Sequence, residues 1–422
     1  MNIRAVNARR RPNLAPDQHG LPRRHKPDYL LVLLATSLLA VGFIVVYAIS
    51  PSIAAARGVS EQYLVSKQII AIVLGLLTFI AMSLVPLPWW RRWAKPIGIV
   101  AAVLTVIALI TPVNVDYPAH RWVRFAGLSF QTAEYVKLAL IMWAASFFAT
   151  RASRAELTSN ERTFRPTLIV LGVIGVIIAG LQSDLGSAAV MVAIIVATAY
   201  MAGMPIKRFL PLAGAVAGLV TAIIAVSFIV PSLQYRVNRL TTFLHPTADC
   251  QEAGYQQCQA LIAVGSGGVF GKGLGKSVQA SGYLPEAAND SIFAIMAEKF
   301  GFFGMSLILG LYMALFSRLK KLIDHAPNMY TRLIVSGVLA WFSTQAIINI
   351  GAMVGLLPLK GITLPFVSYG GTSLLFVTAA LGLSFQISRY TTFAANFDEV
   401  SEPGFDEHAM RQARPLIVRR RA

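Results

Sequence analysis

Apolar runs, each about the length needed to cross the hydrocarbon core of a bilayer, alternate along this chain with short polar and basic interruptions. Read between charged or turn-rich boundaries, they predict about ten membrane-spanning helices, over 29–50, 65–85, 97–112, 132–150, 167–181, 185–201, 209–230, 290–316, 333–352 and 373–388. The expected fold class is therefore all-α, a polytopic integral membrane protein. One interruption, 232–289, is far longer than the rest and puts a large loop between helices 7 and 8. It is too polar and glycine-rich to be another span, yet Val264, Val269, Phe270 and Leu274 give it apolar contacts, so it is expected to fold against the membrane. A basic N-terminal tail over 1–27 and a C-terminal tail over 390–422 flank the membrane domain over 28–389. The first run is too long, and too weakly followed by a small-residue cleavage site, for a removed signal peptide, and is expected to remain as the first span.

Composition strengthens this reading. Hydrophobic residues make up 56% of the chain and charged residues only 13%, with a mean hydropathy of +0.62, far more apolar than a soluble domain. The net charge of +18 raises the question of nucleic acid. Its distribution answers it: Arg and Lys gather in the two tails and in short loops, as at Arg91, Arg92 and Lys95 or Arg318, Lys320 and Lys321. That is the positive-inside bias of a membrane protein with both termini cytoplasmic, its basic flanks attracted to lipid headgroups, and no nucleic-acid motif accompanies it.

The two cysteines, Cys250 and Cys258, both fall in the large loop, which this topology places outside the cell membrane. A disulfide closing a short ring is expected there, two reduced thiols being the alternative.

Ionisable groups inside spans are costly and usually face a partner within the bundle. Glu134 and Lys137, spaced i, i+3, can pair on one helix face. A structural ion pair and a direct substrate role both remain open for them. Glu298 and Lys299 are adjacent, so one of them must reach a neighbouring helix or a cavity. Asp184, in the polar turn Gln182 to Gly186, reads as a helix N-cap, and Lys67 as a snorkelling lysine. Asp290 stands where the large loop enters the eighth span, after Tyr283, Pro285 and Glu286. A partly dried carboxylate there, next to a second one, gains basicity suited to proton abstraction. The alternative is again a helix cap.

Four separated segments resemble those of the SEDS family (shape, elongation, division and sporulation; FtsW/RodA). The first is Arg121 and Trp122 with Phe130, Gln131, Glu134 and Lys137. The second is Gln182 to Gly186. The third runs from Tyr235, Arg236 and Arg239 through Tyr255 and Gln256 to Tyr283, Leu284, Pro285, Glu286, Asp290 and Glu298. The fourth runs from Asn349 through Pro358, Lys360 and Gly361 to Ser368, Tyr369, Gly370 and Gly371. They cover about 29–389 in the family's order. Departures are Thr132 and Ala133 for Pro-Ser, Ser183 for Pro, Ser291 for Phe and Lys299 for Glu, the last two putting the packing beside Asp290 in question.

The resemblance implies an inverting peptidoglycan glycosyltransferase that polymerises lipid II, a disaccharide-peptide on undecaprenyl pyrophosphate, on the outer face of the inner membrane at the division septum. The basic N-terminal tail is more like that of FtsW than of RodA. It implies Asp290 as catalytic base. Arg121, Lys137 and Lys360 would hold the pyrophosphate ahead of Lys272 and Lys276, with Gln131, Glu134, Tyr283 and Glu286 around the substrate. No protein metal centre is expected, although a divalent cation, Mg2+ or Mn2+, could share the work of charge neutralisation. A class B penicillin-binding protein and other division proteins are the implied partners. The rival functions are a lipid II flippase, an elongation-type polymerase and a non-catalytic scaffold.

Overall fold

The computed structural model describes residues 26–111, 120–125, 128–211, 214, 218, 250–252 and 254–391. The chain divides into a body, Met1–Thr391, and a C-terminal unit, Thr392–Ala422, which lies outside the described residues. Among the described residues ten longer helices order the body: α1 Tyr29–Arg57, α2 Gln62–Leu84, α3 Leu87–Ile110, α4 Thr132–Ser153, α5 Asn160–Leu181, α6 Leu185–Ala202, α7 Tyr255–Ser266, α8 Ile292–Asp324, α9 Met329–Met353 and α10 Gly371–Ser388. All except α7 are long and apolar enough to cross a membrane, nine among the described residues. The expected all-α membrane fold is borne out. The expected span over 209–230 falls almost wholly outside the described residues, as does the loop up to 249.

Local chemistry sets the helix ends. The Asp28 carboxylate accepts from the Leu30 N–H at the start of α1, and Asp184 caps α6 by accepting from the Ser187 N–H. Asn328 and Thr331 form a reciprocal capping box on α9. The third helix begins ten residues before its expected start. Its first turns carry Trp89, Trp90 and Trp93 beside Arg91, Arg92 and Lys95, the interfacial mixture that an apolar run omits. Arg91 lies 5.5 Å from the Tyr330 ring centre.

Helices α4, α9 and α10 are mostly buried, whereas α2, α3 and α5 turn Ile70, Val103 and Val176 outward. Trp341, Phe342, Tyr312 and Phe148 fill the core. At one end of the bundle the Arg318 guanidinium binds the Asp28 carboxylate at 2.7 Å, and the Asp28 N–H donates to Ser388 Oγ at 2.9 Å, joining α8, α1 and α10.

The opposite end carries the site. A two-stranded antiparallel hairpin, β1 Trp122–Phe125 and β2 Leu128–Gln131, leads into α4, an element the apolar pattern did not predict. The chain from 267 to 275 folds back onto α8, which breaks at Gly301, where φ is +61°. The Phe302 N–H donates to the Gly268 carbonyl, and the Lys272 and Gly273 N–H groups donate to the carbonyls of Glu298 and Lys299. The folded-back segment thus satisfies backbone groups that the break frees. A side chain at Gly301 would collide with that segment: its Cβ would sit 2.2 Å from the Gly271 nitrogen.

Candidate active site

The site is built around one turn, 286–291, between the folded-back segment and α8. Glu286 adopts a left-handed backbone, φ 49°, and its carbonyl accepts from the Asn289 and Ser291 N–H groups. Three consecutive carbonyls of this turn are then held from the fourth motif. The Tyr369 N–H donates to Ala288 O at 2.9 Å, the Ser368 hydroxyl to Asn289 O at 2.6 Å and the Asn349 amide to Asp290 O at 2.7 Å. The same Asn349 nitrogen donates to Ile362 O at 2.8 Å, so α9 fixes the turn and the 354–370 loop to one another. Gln345, one turn earlier on α9, donates to Thr363 O at 2.8 Å. Tyr312 of α8 donates to Pro365 O at 2.6 Å.

Asp290 lies just outside α8, and Ser291 occupies the N-cap position without a capping side-chain bond. Helix capping is therefore not the role of Asp290. Burial, and next the nearby Glu286 carboxylate, push its carboxyl up to about 7, against hydrogen bonds from its own backbone and from Ser291 that favour the charged form. Its Oδ1 is buried without a hydrogen-bond partner. Glu286 is exposed and accepts from the Asn289 amide, and Tyr283 is also exposed.

The other motifs converge on this turn through backbone contacts. A methyl group on Gly361 would sit 3.6 Å from Asp290 Oδ2, and one on Gly186 would meet Lys360 Cβ at 3.2 Å. The 360–362 segment therefore lies between the Asp290 turn and the start of α6. The Arg121 guanidinium donates from Nε to Gln182 O at 2.8 Å and from Nη2 to Ser183 O at 2.7 Å, tying the hairpin to the same turn. Among the described residues four non-glycines have positive φ, and three of them, Ser183, Glu286 and Phe366, lie in these converging segments. Such strain persists where the surroundings over-determine the backbone, and it concentrates at functional sites.

Two expected substrate contacts take other places. Lys137 is fully buried, and its amine donates to Glu134 Oε1 at 2.7 Å and Gln345 Oε1 at 2.8 Å, 5.2 Å from the Trp341 ring centre. A grip on pyrophosphate by Lys137, and substrate contact by the equally buried Glu134, do not fit this placement, because the protein itself uses their charges. Lys272 likewise donates to Glu298 Oε1 at 3.0 Å. Gln131 closes β2, its backbone N–H donating to Thr372 Oγ1 at 3.5 Å.

Sequence reasoning gave no role to Gln345 and assigned none to Asn349 or Ser368. The available signal was an amide inside an apolar helix, which requires a partner. Glu298 is a third such group. Buried on α8, it accepts from Ser277 Oγ at 2.5 Å and from the Val278 and Gln279 N–H groups at 3.2 Å, anchoring the chain that leads to the Asp290 turn. The two departures beside it are accommodated: Ser291 Oγ accepts from Gln256 Nε2 at 3.2 Å, and Lys299 donates to the Leu274 carbonyl. Cys250 and Cys258 are joined in a disulfide at the start of α7. No group of three or more His, Cys, Asp or Glu able to hold a metal occurs among the described residues.

Known proteins resemble this chain over nearly the whole body. Stage V sporulation protein E of Bacillus subtilis is 35% identical over 373 residues, covering 88% of this chain and 99% of that protein. A probable peptidoglycan glycosyltransferase FtsW of Saccharophagus degradans is 36% identical over 366 residues, 86% of this chain and 92% of that one. Among solved structures, the rod shape determining protein RodA of Thermus thermophilus superposes with a TM-score of 0.62 at 26% identity, covering 87% of this chain and 98% of that one. A chain from a peptidoglycan synthase complex that coordinates polymerization and crosslinking superposes with a TM-score of 0.70 at 25% identity, covering 86% and 98%. The family profile described as cell cycle protein, spanning FtsW, RodA and SpoVE, matches residues 28–393; this chain belongs to that family.

Proposed function

We propose that this protein is a peptidoglycan glycosyltransferase that polymerises lipid II into glycan strands for septal wall synthesis, working on the outer face of the cell membrane with both termini in the cytoplasm. The observation that carries the reading is Asp290: a carboxylate poised near neutrality, outside the membrane-spanning part of α8, on a turn whose carbonyls are held by α9 and the 354–370 loop.

An α-linked pyrophosphate sugar joined to a 4-hydroxyl with a β product calls for a single inverting displacement. The acceptor oxygen attacks the donor anomeric carbon, Asp290 takes the hydroxyl proton, and the pyrophosphate leaves with the bonding electrons. Lys360 supplies positive charge beside that departure, and Arg121 fixes the adjoining 182–184 turn. Glu286 and Tyr283 stand on the approach to the base. A divalent cation would add counter-charge to the leaving group, but the described residues offer no cluster of acidic or histidine ligands that fits one.

The family likeness to a synthase that couples polymerization and crosslinking supports a class B penicillin-binding protein as partner. The division assignment follows the relatives named FtsW. The tails over 1–27 and 390–422 are assigned to the cytoplasm, where other division proteins and anionic lipids would meet them. A flippase reading finds less support, because it gives no task to a basic, partly dried carboxylate at one end of the bundle. The test is polymerisation of purified lipid II by the protein with its partner. Asp290→Asn should abolish polymer while leaving lipid II binding intact, and native turnover by that variant would remove Asp290 from the role.

A further inference from the structure

One recess borders the turn carrying Asp290, and a second, of unlike chemistry, lies beside the 354–370 loop that holds that turn. Toward α1 and α2 lies a recess of about 160 Å³, lined by Glu286, Asn289 and Tyr369 with Ile53, Ala56 and Leu64. Its described lining contains a carboxylate and no Lys or Arg. Toward α6 and α9 lies a groove of about 160 Å³, formed by Leu185 and Ala189 of α6, Ile348 of α9, and Leu357, Pro358 and Lys360 of the loop. Leu185 and Ala189, spaced i, i+4, present one exposed aliphatic face. The charged member of this lining is Lys360. Its stem is held against α6, where Gly186 leaves room for Lys360 and Ile362, and its neighbour Gly361 abuts the Asp290 carboxylate.

Chemistry distinguishes the two substrates of a polymerase in the same way. The donor alone gives up a pyrophosphate, which needs a cation beside the reacting carbon and an apolar path for the prenyl chain attached to it. The acceptor presents a hydroxyl, which suits acidic and amide neighbours. We infer that the α6–α9 groove seats the first isoprene units of the donor's polyprenyl chain, its pyrophosphate at Lys360, and that the acceptor sugar approaches from the acidic recess toward α1 and α2. This rests on the polymerase reading above. The charge of Lys360 in the lining, the aliphatic walls beside it and the nearness of its neighbour Gly361 to Asp290 together select a prenyl pyrophosphate over an ordinary phospholipid, whose headgroup would gain nothing from the base.

The test uses undecaprenyl pyrophosphate carrying a diazirine in its first isoprene units, irradiated with the wild-type protein. Labels are expected within 185–192 and 344–360, competed by lipid II and not by phosphatidylglycerol. Labels confined to α1 and α2, labels elsewhere, no labelling, or equal competition by phosphatidylglycerol would overturn the assignment. In parallel, Ala189→Trp should raise the KM for lipid II about tenfold with kcat nearly unchanged, while Val173→Trp on α5 leaves both as they are. A native KM in Ala189→Trp would sink the groove while polymer from the wild type keeps the glycosyltransferase reading standing; absence of polymer from the wild type with its partner would count against that reading instead. If Ala189→Trp fails to fold, the wild-type labelling decides.

Discussion

Asn349 holds the main chain of Asp290: its side-chain nitrogen donates to the Asp290 carbonyl at 2.7 Å while also donating to Ile362 at 2.8 Å. One amide on a buried helix thus ties the Asp290 turn to the loop bearing Lys360 and Gly361. Misplacing a reacting group by about 1 Å costs on the order of a hundredfold in rate. Asn349→Leu is accordingly expected to lower kcat by about ten- to a hundredfold with the KM for lipid II little changed. Steady-state polymerisation kinetics check this, and an unaltered kcat would show that the turn keeps its place without the amide.

In the proposed role of base Asp290 must be ionised to accept a proton, so activity should rise with pH along a limb centred near the value of about 7 that burial and Glu286 give it. Glu286→Gln removes the repulsion and leaves the burial. The limb should therefore move to lower pH while staying above the ordinary carboxylate range. A pH profile of kcat/KM for the two enzymes measures the displacement, and an unmoved limb would detach Glu286 from the base.

The same raised value has a consequence for stability, with a definite sign. Between about 4 and 7 the folded protein binds the Asp290 proton more readily than the unfolded chain, so this group's contribution falls as pH rises through that window. Asp290→Asn removes the buried charge. The variant is expected to melt higher than the wild type at pH 8, with the difference shrinking toward pH 4. Thermal unfolding in detergent at the two pH values checks it, and a variant less stable at pH 8 would contradict a dried carboxylate.

Much of this architecture was legible because a bilayer imposes simple rules on sequence. Apolar runs gave all nine of the described long helices, and Asp184 at a polar break read correctly as a cap. The start of α3 was missed because Trp, Arg and Lys at an interface interrupt hydropathy without interrupting a helix. The hairpin before α4 is too short for its alternation to stand out. The partners of Asn349, Gln345 and Glu298 were out of reach for another reason. Hydropathy marks such a polar residue as needing a partner, but a carbonyl 59 positions away becomes that partner only through the tertiary fold. Lys137 shows the converse: its residue type and place in the motif suited a phosphate contact, and only its burial beside Glu134 and Gln345 reveals an internal brace.

That brace yields the sharpest contrast between two roles for one lysine. Removing either member of a buried ion pair leaves an uncompensated charge and costs about 3–5 kcal/mol, whereas replacing both by apolar groups of similar size is often neutral. Lys137→Met alone should therefore lower the melting temperature and the yield of folded enzyme. The Glu134→Leu/Lys137→Met pair should recover most of the stability. In the pair, Gln345 keeps the donor from Trp341 Nε1, at 2.7 Å, and can still hold Thr363 and the loop. Polymerisation by the double variant is then expected with a native KM for lipid II. A lysine that gripped pyrophosphate would behave otherwise, its loss raising KM in single and double variants alike whatever happened to the melting temperature.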